Sequence, residues 1–313
     1  MRETYQRRVE RGRTVKKFLC LLLSLFLLLP AMAGAETVVT SFYPVWILAL
    51  NLTENIGSLK VVNLAEHTAG CLHDYSLQNS DMAVLSGADV LLVNGAGMES
   101  FLPVITSAYP DLPVVDATAG LPLFSESGIV EFGEAEEGEE VNSHLWLDPQ
   151  RAAGMASNLA EGLIRLFPDR EKQITENLNA YRGRLLALDE TLRDGLSGTQ
   201  RKVIDFHEAF PYFAEACGLS AAAIVNKEPE DTLPTAQLVR VAELIRSEEH
   251  LPLILKSAEE DPAVNTLVNE TGVPVCELDP MTSGPEDPPL DYYETVMVRN
   301  MTALQQALQK PLD

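Results

Sequence analysis

The chain has 313 residues, 46% of them apolar and 22% charged. That length suggests about two domains, and the composition is too apolar for a disordered protein. Acidic side chains outnumber basic ones 46 to 23, for a formal charge of −23. A polyphosphate partner would be repelled at every approach, so bulk electrostatics exclude nucleic-acid binding. A cationic partner suits the balance.

Residues 1–17 carry Arg2, Arg7, Arg8, Arg11, Arg13, Lys16 and Lys17 against only Glu3 and Glu10. An apolar run from Phe18 to Leu29 follows, then Pro30 and the small-residue stretch Ala31-Met32-Ala33-Gly34-Ala35. This order predicts a secretory signal over residues 1–35, cleaved after Ala35. The run is short for a membrane span, which needs ~20 apolar residues. Cys20 opens the run instead of following it, so no lipid-attachment motif is expected and a periplasmic location is. Past the signal lie Cys71, Cys217 and Cys276. An odd number in an oxidising compartment permits at most one disulfide. Cys217 and Cys276 share the second half and form the candidate pair, with their separation left open.

Short apolar runs then alternate with helical patterns, which argues for parallel sheets with crossover helices. The first half offers strands at Thr37–Thr40, Lys60–Leu64, Val90–Val93 and Pro113–Val115. Helices are expected near Pro44–Thr53, Ser80–Leu85 and Met98–Ala108. Asp148-Pro149 opens another helix with an acidic cap and a first-turn proline, and Pro168 ends it. From Asp169 to about Leu196, Ile174, Leu178, Tyr181, Leu185, Leu188 and Leu192 step by four and three along one apolar face. A helix of that length, about 40 Å at ~1.5 Å per residue, would make a stiff connector. The second half offers strands at Lys202–Asp205, Ala221–Val225, Pro252–Leu255 and Pro274–Leu278. Its helices fall near Ala209–Ala216, Pro234–Arg246, Ala263–Glu270 and Tyr292–Gln309. The expected fold is α/β, with two lobes, each a small mostly parallel sheet flanked by helices. An N-terminal lobe over 36–168, with an acidic loop at about 124–142, is joined by a linker helix over 169–196 to a C-terminal lobe over 197–313.

Five histidines can be weighed one by one. His73 lies in Gly70-Cys71-Leu72-His73-Asp74-Tyr75, His144 in Asn142-Ser143-His144-Leu145-Trp146-Leu147-Asp148-Pro149, and His207 in Asp205-Phe206-His207-Glu208-Ala209-Phe210. Asp279 follows a strand in Glu277-Leu278-Asp279-Pro280. Three of these four positions fall just beyond a predicted strand and the fourth opens a helix, the edge at which open α/β sheets bind ligands. Two come from each half. Three imidazoles and a carboxylate make a four-ligand shell suited to Zn²⁺. His67, beside Glu66, and His250, at a helix end, read as solvated surface residues.

The chain resembles the zinc/manganese class of ABC-transporter solute-binding proteins, the periplasmic metal receptors of zinc-uptake systems. The likeness covers nearly the whole chain after the signal. It is carried by Ser41-Phe42-Tyr43-Pro44, the His73-Asp74-Tyr75 segment, Gly87-Ala88-Asp89, Asn94-Gly95-Ala96-Gly97-Met98-Glu99, the His144 to Pro149 segment, His207-x-Ala209-Phe210-x-Tyr212-Phe213 and Leu278-Asp279-Pro280. The resemblance implies two lobes bridged by a rigid helix, metal in the cleft between them, and His73, His144, His207 and Asp279 as ligands. It also implies a membrane permease as partner and a monomeric receptor. The manganese-binding members usually have Glu at the position of His207, and a nitrogen donor there favours Zn²⁺ over Mn²⁺.

The departures are specific. Leu72 stands where the family commonly has Pro, and Cys71 lies too close to His73 for comfortable joint chelation. The long loop before His144 holds no histidine, but Glu126, Glu131, Glu134, Glu136, Glu137, Glu139 and Glu140. That cluster reads either as a solvated insertion or as a funnel that concentrates cations. Glu208, Asp74 and Glu259 are candidates to orient the ligating imidazoles. A zinc-dependent hydrolase would need an open metal position and a general base, as in H-E-x-x-H, and that motif is absent from the sequence. An adhesin-like surface protein should carry an anchor. Reversible metal binding for uptake, without catalysis, is the reading that remains.

Overall fold

The computed structural model describes residues 35–65, 75–124, 141–225 and 233–309. The signal segment, His67, Cys71, His73 and most of the acidic loop lie outside the described residues. Eight strands form two four-stranded sheets. The first contains β1 (Glu36–Thr40), β2 (Leu59–Asn63), β3 (Val90–Val93) and β4 (Val114–Asp116), in the order β2-β1-β3-β4. The second contains β5 (Val203–Asp205), β6 (Ala221–Ile224), β7 (Leu253–Lys256) and β8 (Val275–Glu277), in the order β6-β5-β7-β8. Parallel ladders join β1 to β3, β3 to β4, β5 to both β6 and β7, and β7 to β8. The two sheets share one winding order, so the expected repeat of architecture is present. In each, the chain steps outward once and then reverses, leaving a switch point between β1 and β3 and between β5 and β7. Crevices at such points bind ligands because loops on either side diverge.

In the first lobe, α1 (Tyr43–Leu52), α2 (Asn79–Leu85) and α3 (Leu102–Ala108) connect the strands. Pro44 occupies the first turn of α1, where a missing N–H costs nothing. The helix expected from Met98 starts only at Leu102, because the chain between β3 and α3 turns through left-handed backbone at Gly95 (φ 86°), Ala96 (φ 51°) and Gly97 (φ 83°). Gly95 is further constrained by space, since a Cβ there would sit 1.9 Å from Asp116 Oδ1.

Next come α4 (Pro149–Leu166) and α5 (Glu171–Gly195), separated by a 3₁₀ turn at Pro168–Arg170. Asp148 caps α4 by accepting the Arg151 N–H at 2.9 Å, as its position before Pro149 predicts. Along α5, Ile174, Tyr181, Leu185, Leu188 and Leu192 are all buried. The periodic face packs against α1 and α4, and against α9 in the second lobe, so the long helix is anchored along one face while its other side stays exposed. The second lobe adds α6 (Pro211–Ala216), α7 (Thr235–Ser247), α8 (Pro262–Thr271) and α9 (Tyr292–Gln309). One hydrophobic core runs from Val38 and Trp146 through Tyr181 and Leu185 to Phe213, Cys276 and Met297, spanning both lobes. A smaller cluster, including Ile204, Val241, Ile254 and Leu267, fills the other side of the second sheet.

Cys217 and Cys276 are not bonded to each other. The sheet order gives the reason: Cys217 closes α6, which connects β5 to the edge strand β6, whereas Cys276 sits in β8 at the opposite edge. Burial pushes the Cys217 thiol up to about 12. Reactivity follows the thiolate, which this burial disfavours. Alkylation of Cys217 in the native protein at pH 8 should therefore be slow and should accelerate on denaturation. Mass mapping of iodoacetamide adducts checks this, and equal rates in both states would contradict it.

Leu185 and Leu186 give a second test, since Leu185 is fully buried and Leu186 is 43% exposed. Leu185→Ala should cost on the order of 2–5 kcal/mol in chemical denaturation. Leu186→Ala should stay within about 0.5 kcal/mol of wild type, as exposed positions usually do.

Candidate metal-binding site

His144 lies at the turn into a 3₁₀ segment, Leu145–Leu147, that leads directly to the Asp148 cap. It is fully buried. Asn142 fixes it twice: the Asn142 Oδ1 accepts the His144 backbone N–H at 3.0 Å and stands 3.2 Å from His144 Nδ1. With Nδ1–H donating to that oxygen, the neutral ring turns an unprotonated Nε2 outward, the form a metal needs. The ring also packs on Trp146, with centroids 4.9 Å apart.

His207 sits in the bend between β5 and α6 and is nearly buried. Its ring lies edge-on to that of His144, with centroids 5.9 Å apart. The Ala209 N–H donates to His207 Nδ1 at 3.0 Å, which places the neutral ring's proton on Nε2. The two imidazoles thus hold opposite tautomers. Glu208 Oε1 stands 3.9 Å from His144 Nε2, so a carboxylate of the second lobe faces the donor nitrogen of the first.

These contacts are held by a lattice of hydrogen bonds across the lobe boundary. Asn142 Nδ2 donates to the Glu208 carbonyl at 2.6 Å. The Tyr212 hydroxyl donates to the Asn142 carbonyl at 2.8 Å and accepts the Phe124 N–H at 2.9 Å. The Trp146 indole donates to the Pro280 carbonyl at 2.9 Å, and the Tyr293 hydroxyl donates to the Trp146 carbonyl at 2.6 Å. Arg151 completes the joint. Its guanidinium bonds Asp148 and Glu215 and lies over the rings of both Phe124 and Tyr212.

Asp279 follows β8, as expected, and is half-buried. Its neighbour Pro280 touches Trp146, but its carboxylate bonds elsewhere: Oδ1 accepts the Met281 N–H at 2.7 Å and Oδ2 pairs with Arg299. Among the described residues, no three His, Cys, Asp or Glu side chains form a group that could hold a metal. The structure brings His144 close to His207 and, at 3.9 Å, to Glu208, leaves Asp279 paired with Arg299, and does not describe His73. His250 is exposed, in keeping with its reading as a surface residue.

Two buried acids lie close to the site: Glu99, tied to it through Asn94, and Asp205, two residues before His207. Glu99 accepts the Asn94 N–H at 2.7 Å and the Gly95 N–H at 3.1 Å. Burial pushes its carboxyl up, while those amides hold it down. Asn94 in turn donates to the Ser143 carbonyl at 3.0 Å, so the Glu99 anchor reaches the residue before His144. Asp205, at the end of β5, is fully buried with neither carboxylate oxygen hydrogen-bonded, and burial raises its pKa to about 8. It stays largely protonated at neutral pH, which removes the cost of burying a charge. Nothing in the sequence marks Arg299; Asn94, Asp205 and Asn142 stand inside the quoted segments without an assigned role.

Two parallel-sheet lobes, sharing one core and presenting imidazoles toward each other, define a two-lobed binding fold. The family of zinc-uptake complex component A, periplasmic (ZnuA), matches residues 38–307, and the chain belongs to it. It is similar to the zinc-binding lipoprotein AdcA of Streptococcus pneumoniae, with 28% identity over 283 residues, or 87% of this chain and 56% of that protein. The chain thus spans little more than half the length of that relative. It is also similar to the high-affinity zinc uptake system protein ZnuA of Brucella suis, with 28% identity over 312 residues covering 88% of this chain and 92% of that one. Among solved structures, the Zn(II)-bound ZnuA-like domain of S. pneumoniae AdcA superposes with a TM-score of 0.70 at 25% identity, covering 88% of this chain and 100% of that chain.

Glu99→Ala would leave the Asn94 and Gly95 amides without their acceptor. Unsatisfied buried donors cost about 1–3 kcal/mol each. The variant should lose on the order of 2–4 kcal/mol in a urea titration, with a smaller loss for Glu99→Gln; a loss below about 0.5 kcal/mol would contradict the anchor role.

Proposed function

We propose that this chain is an extracytoplasmic receptor that captures Zn²⁺ between its lobes and delivers it to an ABC-type membrane permease. The observation that carries this reading is the approach of His144 and His207 from opposite sides of the lobe boundary, with ring centroids 5.9 Å apart. Imidazole donors suit zinc better than oxygen-rich sites, which suit Mn²⁺. His73 and Asp279 complete the ligand set, with residues 36–168 and 197–313 as the two lobes and 169–196 as the linker. The signal over residues 1–35 is cleaved on export, and the receptor acts as a monomer. Its cycle is capture and release, with no bond made or broken in a substrate.

Chemistry on the ligand side follows from the tautomers. In the neutral His144 ring, donation from Nδ1–H to Asn142 leaves Nε2 unprotonated. The His207 ring must release the Ala209 amide, either to expose Nδ1 or to take the ring proton there and free Nε2. Metal therefore competes with protons, and affinity should fall as pH drops through the histidine range near ~6.5. Zinc binding to the native state alone should also stabilise the fold by RT ln(1 + [L]/Kd) and so raise the unfolding temperature.

Competition titration of chelator-stripped protein with Zn²⁺ and Mn²⁺ tests the reading. His207→Ala should weaken zinc binding at least about tenfold, in line with the 10–100-fold losses that even outer partners of metal sites produce. His250→Ala should leave it unchanged. Equal losses in both variants, or tighter binding of Mn²⁺ than of Zn²⁺ by the wild type, would refute the assignment.

A further inference from the structure

Asp279 is held with unusual completeness for a half-exposed acid. Its backbone is clamped from both sides by Asn300, whose Oδ1 accepts the Asp279 N–H at 2.9 Å and whose Nδ2 donates to the Asp279 carbonyl at 2.8 Å. Asn300 is itself buried in α9. Two residues on, Met281 adopts left-handed backbone (φ 58°), a conformation that costs a non-glycine residue on the order of 1–2 kcal/mol and persists only where its surroundings enforce it. The turn aims the Met281 N–H at Oδ1. The segment thus fixes where the carboxylate stands.

The other oxygen is not left to water. Oδ2 accepts from the guanidinium of Arg299, which precedes Asn300 on α9. The Arg299 side chain is 58% exposed, so it can leave for solvent without disturbing the core, whereas the Asp279 backbone cannot follow it. A guanidinium stays charged at every accessible pH, and it would repel a divalent ion placed on the same carboxylate.

From this geometry we infer that Arg299 is an internal rival for the captured cation: loading exchanges its guanidinium for metal on Asp279. The inference rests on the reading of Asp279 as a ligand. Its consequence is a threshold on occupancy. An ion that gains little beyond a carboxylate, such as Ca²⁺ or Mg²⁺, recovers less of what the exchange costs than one that also binds imidazoles. Arg299 therefore weakens every cation that takes Asp279 by the same factor, which leaves weakly held hard ions below useful occupancy while zinc stays bound.

The test uses chelator-stripped protein and a chromophoric zinc competitor. Arg299→Gln should tighten zinc binding by roughly three- to fivefold, the scale of an exposed ion pair. Arg299→Lys, which keeps the charge, should stay within about twofold. The gain should vanish in an Asp279→Ala background. Independently of affinity, phenylglyoxal labelling of Arg299, read by peptide mass, should rise when Zn²⁺ is added. Unchanged or weaker zinc binding by Arg299→Gln, or labelling indifferent to zinc, would overturn the exchange while leaving Asp279 as ligand. Asp279→Ala with full zinc affinity would instead remove the ligand assignment on which the exchange depends.

Discussion

Asn142 binds both lobes at once, and the candidate site depends on it. Its side-chain carbonyl orients His144, its amide grips the Glu208 backbone beside His207, and its main-chain carbonyl receives the Tyr212 hydroxyl. A small buried amide bonded through both its oxygen and its nitrogen specifies one arrangement, because a shift leaves a polar group unpaired in a dry environment. The two imidazoles are therefore positioned against each other by one residue, not by two independent scaffolds.

The packing around this joint points the same way. The principal core passes without a break from the first lobe through α5 into the second, and Trp146 meets Pro280 and Tyr293 across the boundary. Lobes that share a large apolar interface resist relative motion. Under the proposed function, capture and release in such a body would fall to side chains and local segments near the two imidazoles, with α5 as a spine anchored along one face.

Much of the fold was readable from periodicity and caps. Six apolar positions in α5 announced a long helix, and Asp148-Pro149 marked the start of α4 to the residue. What failed to show was local geometry with no period. The 3₁₀ turn at Leu145–Leu147 reads as an apolar stretch, and the late start of α3 reflects three left-handed residues that a helical pattern overruns. For the site, strand ends flagged His207 and Asp279 because their position is set by topology. Arg299 lies twenty residues from its partner on a helix face whose pattern looks merely solvated, so its pairing emerged only from the fold. The cysteines misled for a related reason: proximity in sequence said nothing about opposite edges of one sheet.

One hydroxyl gives the molecule freedom elsewhere. Tyr212 receives the chain at Phe124 and holds it again at Asn142, and the Asn142 N–H closes on the Phe124 carbonyl at 3.2 Å. Whatever joins those two residues leaves and returns through a single gate. Lengthening such a closed excursion is cheap, about 0.6 kcal/mol for each doubling. The connection between Phe124 and Asn142 can thus change in length or charge over evolution while both of its anchors stay in place.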